Sequence, residues 1–142
     1  MFFWFIGTSI ATIWFVFHDK KFAYRLVVAG ALVPDAIEVF LGHAGPLHSL
    51  VTIVAIMAVV MLFTYGRKKS RSKMLAFVIG MFLHLVFDGA FTNTKMFWWP
   101  ISGLQFGDYA LPVFDRGLIN IPLEIIGVLL ILWTRKQVKE SA

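Results

Sequence analysis

The sequence contains no cysteine, and this absence excludes disulfides and thiolate metal ligands. Charged residues are also scarce, since they make up 15% of the chain compared with about 25% in soluble domains. The N-terminal run MFFWFIGTSIATIWFVF lacks the basic start and the small-residue cleavage site of a signal peptide, so we expect a retained membrane helix there. No basic patch with interleaved aromatic residues lies on a predicted soluble surface, which argues against a nucleic-acid partner.

Apolar residues dominate what is present: 59% of the 142 residues are hydrophobic and the mean hydropathy is +0.80. Five apolar segments lie near the lower end of the ~17–25 residues that span a bilayer. They are residues 2–17, 26–41, 47–65, 74–91 and 118–133. This pattern predicts an all-α polytopic membrane protein with one integral membrane domain over residues 1–142. Residues 92–117 would form a long loop before the last helix.

Basic residues predict the orientation of these segments. Eleven of the thirteen lysines and arginines follow the first, third and fifth segments. The positive-inside rule places those ends in the cytoplasm, so the N-terminus is predicted outside and the C-terminus inside. The loop at 92–117 would then lie on the outer side.

Five ionisable residues lie within or at the ends of apolar segments, where each costs roughly 2.5–3.5 kcal/mol on insertion scales. His84 and Asp88 are four residues apart and share one helix face, as do Asp35 and Glu38, three residues apart. His48 begins the third segment. The predicted topology puts all five near the outer surface. Imidazoles and carboxylates that converge from several helices are the ligands of a divalent metal, so these five residues are the predicted metal ligands.

Other polar residues are weaker candidates. His43 lies five residues before His48 across a Gly-Pro turn, and Glu124 lies inside the fifth segment. Either could be a further ligand or a general base, and they are the predicted catalytic residues; Glu124 could instead be the ion-pair partner of Arg116. Lys95 and Arg116 are the cations left on the outer side, where they would neutralise a phosphate.

Several motifs resemble the membrane-bound, metal-dependent hydrolase family that includes the LexA-regulated inner-membrane hydrolases. The family shows a Leu-Pro-Asp turn, an H-x-G-x-T-H-S block, an H-x-x-x-D helix and a Trp-Pro turn. This chain has, in the same order over about residues 30–104, LVPD at 32–35, HAGPLHS at 43–49, HLVFDG at 84–89 and FWWP at 97–100. Glu38 departs from the family's D-x-D turn, Leu47 replaces a threonine, and no histidine precedes His18, which implies fewer metal ions.

The resemblance implies an all-helical phosphoesterase related to zinc phospholipase C and P1 nuclease. The expected function is metal-dependent hydrolysis of a lipid head group or lipid phosphate at the extracytoplasmic leaflet of the bacterial inner membrane. Zinc is the first metal expected, with manganese or iron as alternatives, since nitrogen and oxygen ligands suit all three.

Two readings without catalysis stay open. The chain could be a membrane protein that binds or carries a metal ion or a proton, or its polar residues could form a purely structural cluster. Transport favours ionisable groups spread through the depth of the membrane. The predicted grouping at one level therefore favours an enzyme or a static site.

Overall fold

The computed structural model describes residues 1–41, 45–104 and 117–140, and these residues form helices and turns with no β-strand among them. The prediction of an all-α fold is confirmed for these residues. Short 3₁₀ turns occupy Pro46–His48, Ala90–Thr92 and Gly117–Ile119. The α-helices are α1 (Phe2–Phe17), α2 (Tyr24–Leu41), α3 (Leu50–Phe63), α4 (Lys68–Asp88), the single turn α5 (Thr94–Phe97) and α6 (Asn120–Glu140).

Helix boundaries differ from the apolar segments for local reasons. The helix α4 begins at Lys68, before the apolar run starts, because lysine and arginine are good helix formers outside a bilayer. It ends at Asp88 because Gly89 adopts a left-handed conformation with φ of 70°. The third helix starts only at Leu50, since Pro46–His48 forms its own 3₁₀ turn. His48 therefore lies in a turn before α3 instead of in the helix.

Two stretches of the described chain are long and apolar enough to cross a membrane: α4 and residues Gly117–Glu140, which include α6. The helices α1 and α3 are shorter apolar helices. Large apolar side chains point outward from α3 and α6, with Leu62 76% and Leu129 58% exposed. A bilayer, in place of water, is the solvent that suits such a surface.

Glycines allow the helices to pack closely in two pairs. The helices α2 and α4 cross where Gly30 meets the backbone of Phe77 and Gly80 meets the backbone of Val27. The helices α1 and α6 cross similarly at Gly7 and Gly127. Small residues at such crossings let backbones approach, which drives helix association in membranes where lipid is as apolar as leucine.

The residues after α4 are bound to the start of α3. Ser49 Oγ donates to the carbonyl oxygen of Phe97 at 3.2 Å and to that of Trp99. Asn93 caps α5 by accepting a hydrogen bond from the backbone of Met96 at 3.3 Å. One turn of helix thus lies inside the stretch predicted to be a loop. It is held beside the turn that carries His48.

Candidate metal centre

Five predicted site residues converge at the end of the α2–α4 pair. The helix α2 contributes Asp35 and Glu38, the 3₁₀ turn contributes His48, and the last two turns of α4 contribute His84 and Asp88. Four of these residues are at most 1% exposed. The carboxylate of Asp35 is the exception, with 20% of its side chain exposed. The cluster is therefore buried, and solvent reaches it beside Asp35.

His84 is oriented by the backbone of α2. Its Nδ1 donates to the carbonyl oxygen of Ala31 at 2.7 Å. A carbonyl can only accept, so Nδ1 carries the proton and Nε2 presents a lone pair. Pro34 has no N–H for the carbonyl of Gly30 in the same turn of α2, which loosens the helix beside this contact. The ring of Phe5 packs against the imidazole, with centroids 4.1 Å apart.

His48 is oriented by Glu38 in the same way. Its Nδ1 lies 2.6 Å from Glu38 Oε2. The other carboxylate oxygen, Oε1, accepts from the backbone N–H of Leu47 at 2.8 Å, and Oε2 also accepts from Gly45. A carboxylate that accepts these backbone hydrogens acts as an acceptor toward His48 as well, so Nδ1 of His48 carries a proton and, in the neutral imidazole, Nε2 keeps its lone pair. Both oxygens of Glu38 are occupied by the turn. Glu38 therefore has the geometry of a residue that orients a ligand.

Three acceptor atoms consequently face one another. His84 Nε2 lies 3.3 Å from His48 Nε2 and 3.4 Å from Asp35 Oδ1, and His48 Nε2 lies 3.7 Å from the same oxygen. Asp35 Oδ1 is buried and has no hydrogen-bond partner among the described residues. The two nitrogen–oxygen separations, 3.4 and 3.7 Å, exceed the ~2.7–3.2 Å of an N–H···O hydrogen bond. When both imidazoles are neutral, three lone pairs face one another, and a cation between them would stabilise this arrangement.

The triangle fits a tetrahedral metal ion. Ligands at ~2.0–2.2 Å from zinc lie about 3.3–3.6 Å apart at the corners of a tetrahedron. Octahedral ligands at ~2.1 Å lie only about 3.0 Å apart. The edges of 3.3 and 3.4 Å fall in the tetrahedral range and the third, 3.7 Å, is slightly longer, so Asp35, His48 and His84 form a candidate site for a divalent metal ion. Asp88 is beside them, with Oδ2 3.5 Å from His48 Nε2.

Of the two predicted catalytic residues, the structure describes Glu124 but not His43. His43 lies outside the described residues, as does Arg116. Glu124 is on the first turns of α6, where Oε2 accepts from the backbone N–H of Phe3 at 2.8 Å and Oε1 lies 3.4 Å from the amino group of Met1. This carboxylate binds the start of α1. Its catalytic role stays a prediction, as does a phosphate-binding role for the exposed Lys95.

Reasoning from the sequence missed two contributors to the site. One is the carbonyl oxygen of Ala31, which fixes the ring of His84, and the other is Phe5 on α1. The contact with the Ala31 carbonyl could have been anticipated from the glycines inside the second and fourth apolar segments. Gly30 and Gly80 mark the close crossing that brings His84 to α2. No local signal identifies Phe5 among so many phenylalanines.

Comparison with known proteins gives a family model that matches most of the chain. The sequence model of the family described as YdjM inner membrane protein matches residues 4–140. No curated protein and no solved structure matches the chain.

Proposed function

The chain belongs to the YdjM inner membrane protein family, and from that premise we propose that it is a membrane-embedded, metal-dependent hydrolase. The proposed reaction is hydrolysis of a phosphoester in a lipid head group or lipid phosphate. The observation that carries the proposal is the triangle of acceptor atoms of Asp35, His48 and His84, since its edges suit a tetrahedral zinc ion. The motif resemblance supports the reaction class.

The residues of the site fall into two groups, metal ligands and residues that orient those ligands. Asp35, His48 and His84 would hold the metal, with Asp88 as a further donor. Glu38 and the carbonyl of Ala31 hold the two imidazoles so that both Nε2 atoms face inward. When bound, a divalent ion lowers the pKa of its water toward about 7 and polarises a phosphoryl oxygen. Because Asp35 is the solvent-accessible member, substrate would approach beside it.

The proposed topology has five membrane spans, with the N-terminus outside, the C-terminus in the cytoplasm and the site near the outer surface. Its support is the distribution of lysine and arginine along the sequence. The two long apolar stretches would cross fully, α2 with its 18 residues would be a third span, and the shorter helices α1 and α3 would cross a locally thinned bilayer. The extracytoplasmic leaflet would then supply the substrate.

Cysteine labelling tests this topology, because the natural chain has no cysteine. Ile101→Cys lies on the predicted outer side at a residue that is 76% exposed, and Ser72→Cys lies at the exposed start of α4. A membrane-impermeant maleimide added to intact spheroplasts is expected to label the first and spare the second until the membrane is opened. The reverse pattern would place the site in the cytoplasm.

Hydrolysis is tested with zinc-loaded protein in detergent and three substrates: phosphatidylglycerol, diacylglycerol phosphate and a polyprenyl phosphate. We expect release of phosphate or of the head group from at least one of these substrates, and loss of that activity on chelation. Asp35→Asn keeps the shape of the side chain but removes the charged metal ligand, so it should reduce the activity by more than about 100-fold. His18→Ala, at an exposed histidine after α1, is the matched control and should retain full activity. Bound zinc without any turnover would support the non-catalytic metal binder.

A further inference from the structure

A concave region lies at the other end of α1 from the metal centre. It is a groove of about 970 Å³ between α1, α6 and the connection from α1 to α2. Phe5, which packs on the metal site, is near the start of α1, whereas Lys20 of the groove follows its last turn. The groove is therefore separate from the proposed reaction.

Positive charge lines the rim of this basic groove. Lys20, Arg135, Lys136 and Lys139 contribute to its lining, and Glu140 is the acid among the lining residues. Glu140 pairs with Lys136 at 3.6 Å on the surface. Within the described ranges, no carboxylate pairs with Lys20, Arg135 or Lys139. Lys20, Arg135 and Lys139 thus converge on the groove without a paired carboxylate among the described residues.

Apolar side chains line the rest of the groove. Ile10, Leu132 and Val138 lie along its walls. Ile10 is within α1, seven residues before the helix ends, so the apolar part extends from the cationic rim toward the middle of the helices. Tyr24 stands at the rim, where its hydroxyl donates to the carbonyl of Asp19 at 3.0 Å. The groove therefore combines a charged end with an apolar channel, which is the pattern of an amphiphile with an anionic head.

We propose that the basic groove binds one anionic phospholipid. Its phosphate lies among Lys20, Arg135 and Lys139, and an acyl chain lies along Ile10 and Leu132. Basic pockets between membrane helices on the cytoplasmic side recognise anionic head groups, because each cation near the surface adds attraction that zwitterionic lipids lack. Free phosphate would use the rim alone, so the apolar walls favour the lipid.

The test titrates phosphatidylglycerol, and phosphatidylcholine of the same acyl chains, into the detergent-purified full chain and counts bound lipids by native mass spectrometry. The variant Lys20→Gln/Arg135→Gln/Lys139→Gln is expected to bind phosphatidylglycerol on the order of 100-fold more weakly, at about fivefold for each cation. The matched control removes three exposed cations elsewhere, as Arg67→Gln/Lys68→Gln/Lys69→Gln. It should change the affinity by less than about twofold.

Three results would overturn the proposal. Equal losses in both triple variants would indicate general attraction to a basic protein. Equal affinity for the two lipids would remove the role of the rim, and displacement of the lipid by glycerol phosphate at comparable concentration would remove the role of the apolar walls. Circular dichroism verifies that the triple variant folds, and if it does not, Arg135→Gln alone should still lose about fivefold. Loss of hydrolysis at the metal centre would leave all these outcomes unaffected.

Discussion

His84→Asn is expected to abolish metal binding while leaving the helices packed. An asparagine amide reaches about as far as Nδ1 of histidine and can donate to the carbonyl of Ala31, but it has no atom in the place of Nε2. The variant therefore removes one ligand and keeps the contact between α4 and α2. Elemental mass spectrometry of purified protein should show about one zinc per chain in the wild type. The affinity of the variant should fall by more than about 100-fold.

Glu38→Gln is expected to give a zinc affinity between those of the wild type and His84→Asn. Glutamine keeps one acceptor oxygen, but its amide group cannot accept from the turn that holds His48. Loss of such an orienting partner reduces metal affinity by roughly 10–100-fold. We therefore expect weaker zinc binding than in the wild type and stronger binding than in His84→Asn.

The control for both variants is His18→Ala, which removes an exposed imidazole and should retain stoichiometric zinc. Melting temperatures separate loss of a ligand from loss of the fold. If wild-type protein reconstituted with zinc, manganese or iron retains none of them, the acceptor triangle is bridged by protons. The proposal of a hydrolase would then have no metal to support it.

Much of the candidate site could be anticipated because helical spacing is local information. Asp35 with Glu38 and His84 with Asp88 share helix faces by their separations alone. The cost of burying such groups in an apolar segment also predicts that they satisfy one another. The structure brings these four residues and His48 together.

The sequence does not show which carboxylates would bind a metal ion and which orient neighbouring groups. By its spacing from Asp35 alone, Glu38 is as good a candidate ligand as Asp35. Only the folded turn at Gly45–His48 shows that the oxygens of Glu38 accept hydrogen bonds from Leu47 and His48. Glu124 is a similar case. The backbone of Phe3 reaches Glu124 only because α1 packs against α6. That packing depends on Gly7 and Gly127, which are far apart in the sequence.

Gly80→Leu is expected to have the largest effect on the fold although it touches no ligand. A Cβ at Gly80 would overlap the carbonyl oxygen of Val27, and one at Gly30 would overlap that of Phe77. These are backbone atoms of the opposing helix, so the strain cannot be relieved by a side-chain rotation. Overpacking of a core by extra methylenes typically costs about 1–3 kcal/mol. A leucine between two helix backbones should exceed that range, and the melting temperature would report it.

The milder variant Gly80→Ala connects the helix crossing to the metal centre. Gly80 lies one turn before His84, and its neighbour across the interface, Ala31, accepts the Nδ1 hydrogen of that histidine. Moving α4 away from α2 to admit one methyl group lengthens this hydrogen bond and turns Nε2 away from Asp35. We therefore expect Gly80→Ala to lower both the melting temperature and the zinc affinity, whereas Ala58→Leu, on the exposed face of α3, should change neither. A Gly80→Ala protein with wild-type zinc affinity would show that the close crossing holds the helices together without positioning the ligands.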